Sequence, residues 1–135
     1  MNEEVKRIAN LFVEQFLNKN DAALANELIA DDFINHNPQF GFSQDKEGMK
    51  QMIASWHRGF SNVQFILEDL IAENDKVVLH MRITGKHNGV FMGLQPTKRS
   101  IDSRSITILR LENGRIKERW NVTNKLETMR QLGLM

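Results

Sequence analysis

Glu118 and Trp120 stand two residues apart in the series Ile116, Glu118, Trp120, Val122, which alternates with Lys117, Arg119 and Asn121. A period of two predicts a strand and gives the four residues one face. If Trp120 lines an internal cavity, the Glu118 carboxyl enters it as well. An apolar pocket disfavours the charged carboxylate, raises its pKa and suits it to acid–base work near neutral pH. The simpler alternative is a strand-end glutamate paired with a nearby arginine. His36 falls in a loop after a short extended segment, where an imidazole can orient a substrate oxygen or take a proton. His87 sits in a glycine-bearing stretch and is a candidate for the same work; either histidine is equally compatible with plain exposure. His80 faces away from Val77, Leu79 and Met81, as a partly buried or dimer-face residue would. His57 falls at a helix end, where a cation complements the dipole.

Other chemistries find no support. The four histidines show no His-x-His or His-x-x-x-His spacing, so no metal is expected. No glycine-rich phosphate loop follows a strand, and no nucleotide or other cofactor is expected. Without cysteine there is no disulfide framework, thiolate zinc site or cysteine nucleophile. Eighteen Lys and Arg nearly balance seventeen Asp and Glu, interspersed along the chain, which argues against nucleic acid as a partner. The densest basic group, Lys98 and Arg99 with Arg104, reads as a solvated strand edge. The opening Met1-Asn2-Glu3-Glu4 is acidic, and no apolar run approaches bilayer length, so a cytoplasmic location without membrane contact is expected.

These residues need elements to hold them. At 135 residues the chain suits a single domain over residues 1–135, large enough for a core with a cavity beside it. Val5, Ile8, Ala9, Phe12, Val13, Phe16 and Leu17 recur at helical spacing. Asn20 is a candidate cap for a second helix carrying Leu24, Leu28 and Ile29, which Asp31-Asp32 should end. A third helix is expected over about residues 44–57, capped by Ser43, with Met49, Met52, Ile53 and Trp56 on its buried stripe. The period then changes to two. Strands are expected around residues 63–71 and 77–84, then, after a loop bearing Gly85, Gly89 and Gly93, over 99–111 and 115–122. Asn113-Gly114 is a hairpin signal, and Leu126, Met129 and Leu132 mark a short closing helix. The reading is an α+β fold: a curved antiparallel sheet, closed into a cone by three N-terminal helices and a short C-terminal one.

The stretch His87-Asn88-Gly89, Met92-Gly93, Pro96-Thr97 resembles the SnoaL-like polyketide cyclase (ester cyclase) family, where His-x-Gly, Met-Gly and Pro-Thr recur in this order. The resemblance continues through Arg110, the turn Asn113-Gly114, the series Ile116-Lys117-Glu118-Arg119-Trp120 and the tail Gln131-Leu132-Gly133. Residues 33–38 resemble the family's histidine-containing N-terminal loop. The resemblance implies the nuclear transport factor 2-like cone, shared with ketosteroid isomerases, limonene epoxide hydrolases and non-enzymatic ligand binders. It also implies a homodimer. Two positions depart from the family pattern. Lys98 stands where Gly usually follows Pro-Thr. Asn124 stands four residues after the Trp, where the family carries its proton-transferring Asp. Asn hydrogen-bonds but does not titrate. With Glu127 it also reads as a capping box for the last helix.

Two functions follow as expectations. One is a small, largely apolar, oxygen-bearing molecule bound in the cone and turned over by cofactor-free acid–base chemistry, such as aldol-type cyclisation, isomerisation or hydrolysis. Glu118, His36 and His87 would then be catalytic, and Asn124, Trp120, Trp56, Phe40, Phe91 and Arg110 would bind the ligand. The other is a non-catalytic ligand-binding or assembly module, which Asn124 favours.

Overall fold

The computed structural model describes residues 2–39 and 41–135; the expectation for Phe40 lies outside them. Helix α1 (Asn2–Leu11) runs without a break into a π-helical turn over Phe12–Leu17. The expected stripe from Val5 to Leu17 is buried throughout. The π turn ends at Asn18, whose side chain locks it to the sheet: Nδ2 donates to Phe65 O at 2.9 Å, and Phe65 N donates back to Oδ1 at 2.7 Å. Helix α2 (Ala22–Leu28) is capped by Asp21, not Asn20. Asp21 accepts from Leu24 N, while Asn20 takes the left-handed conformation with φ 55°. Nor does Asp31-Asp32 end that helix. Strand β1 (Ile29–Asn35) begins directly after Leu28 and contains both acids, which stay outside and pair with Lys46 and Lys117.

Helix α3 (Lys46–Gly59) starts two residues later than expected because Asp45, rather than Ser43, caps it by accepting from Gly48 N at 2.8 Å. Ser43 supports that cap through a 2.7 Å hydrogen bond to Asp45. Met49, Met52, Ile53 and Trp56 are buried as the stripe requires. Then come β2 (Phe60–Glu73), β3 (Lys76–His87), β4 (Ser100–Glu112), β5 (Arg115–Thr123) and helix α4 (Lys125–Gln131). Gly85 and His87 belong to β3 rather than to the loop after it. The β4–β5 turn places Asn113 and Gly114 at φ 53° and 76°, the positive pair a tight hairpin needs.

The sheet order is β1-β5-β4-β3-β2, antiparallel except that β1 runs parallel to β5. Register breaks in β1, β2 and β5 bend the strands. The curved face carries Val77, Leu79, Met81 and Ile83 of β3 and packs on α1, the π turn and α3. No helix among the described residues is long and apolar enough to cross a membrane.

Candidate functional site

One extra residue in β5 decides which side chains reach the interior. Leu111 pairs with Ile116, but Arg110 pairs with Glu118, so Lys117 is bulged out of the ladder. A one-residue slip exchanges the two faces of every later position. Ile116 is fully buried, and Arg119, two positions past the bulge, is only 8% exposed. Arg119, Asn121 and Thr123 therefore point inward. Glu118 and Trp120 were expected to share the face of Ile116; they lie on the opposite one, and neither lines the cavity.

That cavity holds about 740 Å³ between the helices and the concave sheet, within the roughly 300–1,000 Å³ typical of small-ligand sites. Its apolar wall comes from Phe12 and Leu17 of the π turn, Met52, Ile53 and Trp56 of α3, Phe65 of β2 and Phe91 of the loop after β3. Trp56 packs against the Phe91 ring at 4.6 Å between centroids. Its polar end comes from β4 and β5: Ser105, Thr107, Arg119, Asn121 and Thr123. The fully buried Thr107 hydroxyl donates to Asn121 Oδ1 at 2.7 Å. Asn37, Pro38 and Gln39 stand at one side, and Thr128, Met129 and Leu132 at another.

Charge in the cavity has one sign. Arg119, Lys125 and His36 line it, and no Asp or Glu does among the described residues. Arg119 Nη1 donates to Asn35 Oδ1 at 3.1 Å, and Asn35 is itself 1% exposed. Arg119 Nε is buried without a partner among the described residues. Burial pushes the guanidinium down to about 10, which still leaves it charged at neutral pH.

The expected site residues divide accordingly. Trp56, Phe91 and His36 lie in the cavity lining. Glu118 sits outside it, between His36 Nε2 at 2.7 Å and Arg110 Nε at 2.6 Å. The hydrogen bond from His36 first, then that from Arg110, holds its carboxyl below the usual glutamate range. The expected upward shift is therefore corrected: ion pairing has replaced the apolar pocket that would have raised it. Trp120 stacks on His36, with centroids 4.8 Å apart. Arg110 is likewise outside the cavity, near Asp75 and Glu112 as well as Glu118. His87 is fully buried against Phe60 but not in the cavity lining. Its Nδ1 accepts from Thr97 N at 3.2 Å, and burial pushes its pKa down, which favours the neutral ring. Asn124 does not line the cavity either. It caps α4, accepting from Glu127 N at 3.2 Å, whereas the Glu127 carboxylate turns to Arg130 and Gln131, so the expected capping box is half formed.

Arg119, Asn35, Ser105, Thr107 and Asn121 were missed. For β4 a signal exists: Ile101, Ser103, Ser105, Thr107 and Leu109 share one parity and are all buried. Small hydroxyls at the centre of an inward stripe leave space and polarity where a packed core would have aliphatics. Arg119 had no comparable signal, since its face depends on the bulge.

A family model described as SnoaL-like polyketide cyclase matches residues 7–132. No curated protein sequence matches the chain significantly. Among solved structures, TsrD from Streptomyces laurentii superposes with a TM-score of 0.90 at 24% identity, covering 100% of this chain and 98% of that one; at that identity it shows the fold. A candidate polyketide cyclase from Bacillus cereus ATCC 10987 gives 0.85 at 28% identity, with 98% and 82% covered. IdmH from Streptomyces antibioticus, also a candidate polyketide cyclase, gives 0.83 at 26%, with 96% and 98% covered. The cone, its order of elements and the match over nearly the whole chain agree: this protein belongs to the SnoaL-like polyketide cyclase family, within the nuclear transport factor 2-like fold.

Proposed function

We propose that the chain binds a small, largely apolar, oxygen-bearing molecule in its cone, without a cofactor, and orients it through hydrogen bonds at the β4–β5 end. The observation that carries this reading is the cavity itself: an aromatic and aliphatic wall facing a polar end. The family's acid–base position is Asn124, a helix cap, and the lining has no carboxylate among the described residues. Binding is thus better supported than carboxylate-driven turnover. The test is titration with 2-acetonaphthone, a neutral aromatic ketone, followed by quenching of Trp56, with Ser105→Leu as the blocked variant. Saturable binding to the parent chain and its loss in a folded Ser105→Leu protein are expected. Equal binding by both proteins would place the ketone outside the cone and sink the reading.

One observation favours a second, catalytic reading. Glu118 fixes the His36 ring at 2.7 Å, and His36 touches the cavity. A carboxylate-held imidazole is a serviceable general base. For a confirmed substrate, Glu118→Gln and His36→Ala should each lower the rate by roughly 10²-fold or more; an unchanged rate would leave binding alone. Asn124→Asp should not create activity, because its side chain faces α4.

The same reading includes a homodimer. Ile106, Val122 and Leu126 are 43%, 74% and 67% exposed beside His80 on the outer side of the sheet, and a second copy of the chain would cover them.

A further inference from the structure

The cavity's one buried cation has no acid to answer it. Every Asp and Glu of the chain lies among the described residues, and none forms an ion pair with Arg119. Stripping a guanidinium of water costs several kcal/mol unless a partner compensates, and here the chain supplies only an amide oxygen, Asn35 Oδ1, to one nitrogen. Nε makes no hydrogen bond to a described residue and is itself shut away from the cavity, while Arg119 as a whole lines it. Elsewhere in the chain Arg82 meets the Asp102 carboxylate with two nitrogens, Nε and Nη2, at 2.7 Å each. A guanidinium is a planar donor group suited to the oxygens of a carboxylate.

The remaining charges point the same way. Lys125 and His36 are the other ionisable groups in the lining, and neither can supply a negative charge. Asn35 Oδ1 is itself held, since it also accepts from Asn37 N at 3.2 Å. The guanidinium is thus anchored at Nη1 with no acid beside it. A neutral ketone would accept a hydrogen bond from Arg119 and leave the charge unanswered, whereas an anion would do both.

We propose that the ligand of this cone is an apolar carboxylate, its ring or chain against Trp56 and Phe91 and its carboxylate against the Arg119 guanidinium. The proposal rests on the cavity-binding reading above and names the charge of what that cavity takes. Asn121 and Thr107 then serve the adjoining polar end.

Two probes of equal skeleton separate the two ideas: 2-naphthoate, an anion, and 2-acetonaphthone, its neutral counterpart. Titration calorimetry on the full chain should show 2-naphthoate bound about 10–100-fold more tightly, the range set by hydrogen bonds to a charged group. Arg119→Met should erase that preference, bringing the two affinities together, and Arg119→Lys should keep only part of it, because an ammonium lacks the planar donor set of a guanidinium. If the parent chain binds both equally, or Arg119→Met still prefers the anion, the carboxylate proposal is overturned and the cavity reading stands. If neither probe binds, the cavity reading falls and takes the proposal with it. The parent comparison needs no variant, so a misfolded Arg119→Met protein would not spare the proposal.

Discussion

Arg82 holds Asp102 through two guanidinium nitrogens, whereas Arg119 has no acid beside it, and the two sites should respond oppositely to mutation. Arg119→Met replaces a buried charge with an apolar chain of similar length, and Asn35 Oδ1 keeps its bond from Asn37 N. Thermal unfolding should show a stability equal to the parent or higher by about 1 kcal/mol, since apolar replacement of poorly compensated buried charge is often stabilising. A loss of several kcal/mol would instead make Arg119 a structural strut. For Asp102 the prediction concerns pH. Arg82 first, then Arg104, lowers its pKa from 3.8 to about 2. A depressed carboxylate stabilises the fold above its unfolded pKa and loses that contribution as pH falls through the folded one. The Tm advantage of the parent over Asp102→Asn should therefore be full above pH 3.8 and shrink towards pH 2. A constant difference across that window would contradict the pairing. At this scale the aromatic wall was legible, because Trp56 follows a clean helical stripe. Arg119 was not, because nothing in Glu118-Arg119-Trp120 says which parity faces in.

Parity belongs to the element, and there the limits of the sequence are physical. The stripe from Val5 to Leu17, that of α3, the alternation of β3 and the Asn113-Gly114 turn could all be read, since each pattern is local. The Lys117 bulge could not, since it exists only as a mismatch between two strands. Helix ends shifted for a related reason: Asp21 and Asp45 competed with Asn20 and Ser43 as caps, and propensity alone ranks such neighbours poorly. The turn at Lys98 shows what the family's glycine was for. Lys98 has φ 65°, a left-handed conformation that glycine adopts freely, and its N–H donates to His87 O at 2.9 Å. The chain keeps the backbone and accepts the strain of a Cβ. Lys98→Gly should raise stability by about 0.5–1 kcal/mol, the relief of left-handed strain less glycine's greater unfolded-state entropy. Denaturant unfolding checks it, and a less stable glycine variant would show that the lysine side chain holds the turn by contacts of its own.

Across the whole molecule, the sheet has two faces with opposite demands. The concave face encloses the cavity and spends polar groups there that a packed core would exclude. The convex face leaves Ile106, Val122 and Leu126 in water next to His80. Overall fold class and helix placement were legible because burial periodicity reports them, but periodicity cannot say whether an outward apolar residue meets solvent or another chain. The proposed dimer supplies the missing partner, and it can be separated from the cavity because Ile106 and Leu126 touch only the outer groove. Sedimentation of the parent chain should give twice the monomer mass. The double variant Ile106→Lys with Leu126→Lys should sediment as a monomer, since two buried, unpaired ammonium groups per subunit would oppose association. It should still bind 2-naphthoate, because the cavity wall is untouched. A parent that sediments as a monomer would remove the dimer from the account. Binding lost together with the dimer would mean that the cone depends on its partner to keep its shape, and the site would then belong to the pair rather than to the single chain.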